Sequence, residues 1–189
     1  MSPITHFLAG WVVANASGKI SPRERAMIAV AGVAPDLDGL GIVAEVLTRN
    51  SAHPLLWWSE YHHVLGHNLG FGLLLTAITV LLAVRRWLTA GLVFLSFHLH
   101  LLCDLAGSRG PDGDQWPIPY LLPFSNAWQW TWQGQWELNA WPNFVVTAVA
   151  LLIVLVLAWK RANSPLEMVS ASANKSFVEA LRGRFPSSA

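Results

Sequence analysis

Two stretches of the chain are apolar at nearly every position. Residues 69–84 carry no charge and end at Arg85-Arg86, and residues 144–159 are more apolar still and end at Lys160-Arg161. A third stretch, 87–105, is mostly apolar but contains His98, His100 and Asp104. A bilayer span takes about 20 residues, with about 17 as the short limit, so all three predict membrane helices at or near the minimum length, lengthened by their flanks. Two shorter helices precede them, over residues 6–17 and 22–34, the second with Ser21 as N-cap and Pro22 in its first turn. At 1.5 Å per residue each covers only about 18–20 Å, too little to cross alone, so they predict a hairpin packed against the longer helices or re-entering the membrane. A further amphipathic helix is expected over 39–48.

Residues 115–141 follow a different pattern. They hold six of the eleven tryptophans, and Trp128, Trp130 and Trp132 alternate with polar residues, the period of a strand. Gln133-Gly134 supplies a turn after which residues 135–138 can pair back. Tryptophan favours the membrane interface, so a small interfacial hairpin or loop is expected, preceded by a proline- and glycine-rich loop over 111–123. The pattern as a whole predicts an all-α membrane protein. Residues 1–161 form a helical bundle with about three membrane-spanning helices, a short N-terminal helical hairpin and the Trp-rich interfacial segment. Residues 162–189 form a polar, mobile tail with a weakly amphipathic stretch over 176–181.

Composition strengthens this reading. The chain is 53% hydrophobic and only 12% charged, about half the charge of an ordinary soluble domain. A net charge of +1 argues against nucleic acid as a partner, and the single cysteine, Cys103, excludes an internal disulfide. Ala14-Asn15-Ala16 after the apolar run 7–14 resembles a signal cleavage site, but residues 1–6 lack the positive charge such a leader begins with. The run is therefore read as a structural helix.

Charge placement adds topology. Lys19, Arg23 and Arg25, then Arg85-Arg86, then Lys160-Arg161 fall at alternate helix ends. Tracing the chain up and down puts these basic turns at one end and His6, Asp36, Asp38, the histidines at 62–67, His100 and Asp104 at the other. By the positive-inside rule the basic end is cytoplasmic, and a composite site at the other end faces the periplasm.

The candidate chemistry lies at that second end. In Pro35-Asp36-Leu37-Asp38, the proline favours ending the helix just before it, and two carboxylates leave the turn together within an apolar run, where a cation must offset them. His100 and Asp104 are four apart on a helix and share one face. In Tyr61-His62-His63-Val64-Leu65-Gly66-His67-Asn68, His67 pairs with either His62 or His63, and spacing alone leaves both open. His6 gains weight only from lying at the ligand end, while His53 and His98 read as structural. Imidazole and carboxylate without thiolate suit zinc, with manganese or iron as alternatives. Seven candidates exceed the four of one closed zinc site, which points to two or more ions within an expected range of one to three. Arg109, in Gly107-Ser108-Arg109-Gly110, can hold an anionic substrate bidentately or anchor the chain at the interface.

An early histidine, then P-D-L-D, then H-x4-H, then H-x3-D resembles the YdjM-type family of bacterial inner-membrane proteins, described as predicted metal-dependent hydrolases. The resemblance covers about residues 1–125. The family's third motif usually reads H-R-G-x-T-H-S. The two outer histidines match here, which favours His62 over His63 and implies His6, Asp36, Asp38, His62, His67, His100 and Asp104 as metal ligands. The arginine, threonine and serine of that motif are absent. The family is also distantly similar to zinc-dependent phospholipase C and related nucleases, which implies hydrolysis of a phosphodiester or phospholipid. The expected function is therefore a membrane-bound metal-dependent hydrolase using metal-activated water on a phosphate ester or phospholipid-type substrate. A carboxylate among Asp36, Asp38 and Asp104 acts as general base, and membrane lipid and a small-molecule or lipid substrate are the partners. The alternative is a non-catalytic metal-binding membrane protein with a structural, transport or assembly role. Bis-histidine haem ligation leaves the Asp36/Asp38 pair unexplained.

Overall fold

The computed structural model describes residues 1–18, 20–110 and 113–186. Lys19 of the first basic cluster and the first two residues of the 111–123 loop lie outside the described residues. Helix α1 (Pro3–Ala14) starts at Ser2, whose Oγ accepts from Thr5 N. Helix α2 (Pro22–Ala31) starts at a capping box: Ser21 accepts from Glu24 N, and the Glu24 carboxylate accepts from Ser21 N at 2.8 Å. A 3-10 segment, Ala34–Leu40, carries the two aspartates into α3 (Gly41–Thr48). Then come α4 (Trp57–Tyr61), α5 (Leu69–Leu82), α6 (Arg86–Gly107), α7 (Trp141–Arg161) and α8 (Ala171–Arg184).

Helices α6 and α7 are long and apolar enough to cross a membrane; α2 together with residues 34–48 adds a third candidate span, bent by 52°. The stretch expected to span over 69–84 ends as a helix at Leu82 after 14 residues, about 21 Å, short of a full crossing. Conversely, the flanks lengthen the other two: Arg86 and Gly107 bound α6, and Trp141 and Arg161 bound α7. Leu73, Leu74 and Leu81 on α5, Leu95 and Leu102 on α6, and Phe144 and Leu152 on α7 are exposed. In water such a surface is a liability; in a bilayer it is the lipid face.

Helix α1 packs against α2, α6 and α7, with Trp11 wholly buried beside Ala29, Ala150 and Val154. Close approach is possible because small residues meet there. A Cβ on Gly32 would lie 2.9 Å from the His6 carbonyl and 2.8 Å from Ser96 Oγ. The backbone of α2 is thereby brought against His6 on α1 and the face of α6 that bears Ser96 and His100.

Buried polar contacts fix which ends lie together. Glu24, 2% exposed, also accepts from Arg85 N at 2.7 Å and Thr89 Oγ1 at 3.0 Å, tying the start of α2 to the start of α6. Arg161 at the end of α7 donates to the Asn15 carbonyl at the end of α1, and Arg25 Nη2 reaches Glu167 at 2.8 Å. Arg25, Arg85 and Arg161 thus gather at one end of the bundle, and the His/Asp residues lie at the other. The chain beyond α7 carries a 3-10 turn and α8, held to Trp159 by Arg182 Nε at 2.8 Å.

The Trp-rich segment is a loop with different pairing from the expected hairpin. Among the described residues there is no strand, only isolated bridges: Trp130 pairs with Ile118, and Glu137 with Arg109. Residues 128–132 and 135–138 turn at Trp132–Gln135 but separate to these other partners. The reason is packing. Trp130 stacks on Tyr120 at 4.2 Å and packs against the cluster of Phe97, Leu101 and Ile118, so the core rather than residues 135–138 takes this face of the segment. Asn143, at the start of α7, locks the loop down by donating to the Gly107 and Leu138 carbonyls and accepting from Trp136 Nε1.

Candidate metal centre

The ligand end is organised around Asp104, 1% exposed on the last turns of α6. Its Oδ1 is 3.0 Å from His6 Nε2 and also contacts the Met1 amino group. Its Oδ2 is 3.0 Å from His100 Nε2 and 3.4 Å from His67 Nε2. The two imidazoles meet each other, Nε2 to Nε2, at 3.1 Å.

This convergence has a chemical consequence. His100 Nδ1 lies 2.8 Å from the Gly32 carbonyl, which can only accept, so Nδ1–H donates and the neutral ring carries a lone pair on Nε2. His67 Nδ1 lies 3.1 Å from Asp38 Oδ2, which orients its Nε2 in the same way. Two imidazole nitrogens and a carboxylate oxygen therefore face one another in a buried space, an arrangement that a bound cation can hold together. Positive charge is drawn here: burial opposes protonation of His67, but Asp104 and Asp38 overcome it and raise its pKa to about 9. The neighbouring His63 goes the other way, driven well below its ordinary value by burial and then by His67.

The aspartates of the 3-10 segment divide between two tasks. Asp36 Oδ1 is 3.8 Å from His100 Nε2, and His6, Asp36, His100 and Asp104 each offer a ligand atom within 4.8 Å of the others. Asp38 stands behind the histidines, with His62 Nδ1 at 2.8 Å and Gly66 N at 3.0 Å in addition to His67. That is the position of a carboxylate that orients metal-binding imidazoles. His62 is held between Asp38 and the face of Trp58, 3.8 Å away. A second group within 4.8 Å is His63, His67 and Asp104. The family motif favours His62 over His63, yet the four-residue spacing between His63 and His67 is realised in space: their rings stack at 4.3 Å, although a positive φ of 66° takes His63 off any helix.

Donor chemistry fits a divalent ion. His6 Nδ1, Asp36 Oδ2 and His63 Nδ1 are buried without a hydrogen-bond partner, a costly condition unless something else binds there. Ligands about 2.0–2.2 Å from a single zinc lie about 3–4 Å apart, so small side-chain rotations close either group. His53 is exposed in its loop, and His98 is bonded to the Phe94 carbonyl and Tyr120 hydroxyl at 2.8 and 2.9 Å; neither joins the centre. Arg109 pairs by its backbone with Trp136 and Leu138, and its Nε is buried without a partner. A cavity of about 310 Å³ reaches the centre through Asp36, Asp104, His62, His63 and Ser108. It adjoins a larger one of about 570 Å³ that shares Trp58, His62, His63 and Trp116 with it.

Apolar helices of membrane length around a buried histidine–aspartate cluster define a multi-helix membrane protein whose centre can hold a metal ion. Its family is shown directly: the YdjM inner membrane protein family matches residues 1–176, and the chain belongs to it. With its apolar helices this gives an inner-membrane location. Comparison with curated proteins and with solved structures finds no match.

Proposed function

We propose that this protein is a metal-dependent hydrolase of the inner membrane that cleaves a phosphate ester or phospholipid-type substrate. The observation that carries this reading is the convergence of His6, Asp36, His100 and Asp104, each offering a ligand atom within 4.8 Å of the others, beside a cavity. His6, Asp36, His100 and Asp104 hold the ion, with zinc as the best match to the donors. When bound, a divalent ion polarises a phosphoryl oxygen and lowers the pKa of water. Asp38 fixes the tautomers and ring planes of His62 and His67. Asp36, with Oδ2 unpartnered on the cavity side, takes up the proton as general base. Arg109, following Ser108 of the cavity wall, supplies a guanidinium for the substrate anion.

The test is elemental analysis of detergent-purified protein, followed by assays on a chromogenic phosphodiester and on phospholipid vesicles before and after chelation. The expected result is turnover that chelation abolishes and zinc restores, with His53→Ala indistinguishable from wild type. Metal-replete protein that turns over none of these substrates would move the conclusion to the non-catalytic reading. That reading draws its support from the near-complete burial of His6, His100 and Asp104.

The gathering of Arg25, Arg85 and Arg161 at one end supports a cytoplasmic assignment for that end and a periplasmic centre. In a Cys103→Ala background, a cysteine at Arg86 should resist an impermeant thiol reagent added to intact cells. One at Asn126, in the Trp-rich loop, should react. The reverse labelling pattern would place the centre on the cytoplasmic side.

A further inference from the structure

The two ligand groups share Asp104, and the second has features the first does not explain. His63 is 5% exposed and adopts a positive φ of 66°, uncommon outside glycine, though histidine, like asparagine and aspartate, enters this region more readily than most residues. It buys no hydrogen bond at Nδ1, which is buried and unpartnered. What this conformation achieves is placement. The ring stacks on His67 at 4.3 Å, with only 16° between planes, and offers a ligand atom to the group it forms with His67 and Asp104. It also lines both cavities, whereas His6 and His100 line neither. His62, by contrast, is committed to Asp38 at 2.8 Å and to Trp58.

We propose that His63, His67 and Asp104 form a second divalent-cation site, on the cavity side of the first, with the Asp104 carboxylate bridging the two ions. This rests on the reading of His6, Asp36, His100 and Asp104 as a metal site. The first group meets the cavity through Asp36 and the shared Asp104, while the second presents His63 to both cavities. Paired ions of this kind, about 3.5–4 Å apart, clamp the oxygens of a phosphoryl group. The class of ligand that fits is therefore an oxyanion with at least two free oxygens. His62 acts as a positioning residue that steadies Asp38.

The experiment is metal stoichiometry, independent of any turnover. Wild-type protein saturated with zinc should hold two ions per chain, and His63→Asn one, asparagine being tolerant of positive φ. His62→Gln should keep two. Loaded with Mn²⁺, wild type should give the spin-coupled resonance of a bridged pair and His63→Asn that of an isolated ion. If His63→Asn fails to fold, His63→Gly relieves the backbone and answers the same question. Two ions or a coupled spectrum in either variant would overturn the second site, as would one ion in wild type that the variants leave unchanged. No ion in wild type would instead overturn the first site, so the two failures are distinguishable.

Discussion

Asp104→Asn should empty the centre. The substitution preserves shape and removes one charge, yet this carboxylate is the group on which His6, His67 and His100 all converge, at 3.0, 3.4 and 3.0 Å. It also belongs to both ligand groups. Without it, three imidazoles surround a neutral amide in a buried site, and a cation there has lost its principal counter-charge. Loss of a supporting group behind a ligand typically costs about 10–100-fold in metal affinity, so loss of the shared ligand should weaken binding by at least about 100-fold. Elemental analysis of Asp104→Asn alongside wild type measures this. Metal content equal to wild type at matched free zinc would show that Asp104 is not the hub. A thermal melt of each protein checks that the variant is still folded.

Gly66→Ala should have a comparable effect without altering any ligand. A Cβ at this position would lie 2.3 Å from the Pro35 carbonyl oxygen and 2.8 Å from Pro35 Cα. Both belong to backbone, which cannot swing aside as a side chain can. The loop bearing His62, His63 and His67 would be lifted off the turn bearing Asp36 and Asp38, breaking the Gly66 N to Asp38 bond. Overpacking of this kind costs about 1–3 kcal/mol. Where the whole cost falls on the binding-competent arrangement, apparent metal affinity drops by about 5–150-fold. Gly91→Ala is the control, since nothing lies within 4 Å of its Cβ position. Isothermal titration with zinc on both variants gives the comparison, and an unchanged affinity in Gly66→Ala would mean the two segments are not rigidly docked.

Much of the architecture is legible in the sequence because it depends on local rules. Ser21, Pro22 and Glu24 announce the start of α2, and the capping box forms as their spacing requires. His100 and Asp104 face one another because residues four apart on a helix always do, and their atoms meet at 3.0 Å. The alternation of basic turns with His/Asp turns is also a property of chain order, and the gathering of Arg25, Arg85 and Arg161 follows it. Local rules mislead where a competing contact wins. The alternating tryptophans leave a hairpin with residues 135–138 or a loop open, and Trp130 pairs with Ile118 and stacks on Tyr120 against the core instead.

Within the centre, the sequence by itself determined the inventory of histidines and carboxylates and the end of the bundle at which they collect. It could not assign their partners. Asp36 and Asp38 look equivalent as a pair on one turn, yet the 3-10 backbone aims the first at His100 and the second at His62 and His67. His62 and His63 both read as possible partners of His67, and only the fold separates them, setting His62 on Asp38 and, with a positive φ, His63 in the group with His67 and Asp104. These choices depend on how residues 62–68 dock on the Pro35 turn, and the fit rests on the missing side chain of Gly66. Helix spacing is set by bonds within a few residues, so a sequence displays it. The meeting of α1, α6 and the loop bearing His67 at one carboxylate is set by packing between segments as far apart as residues 6 and 104, and that is decided only when the chain has folded.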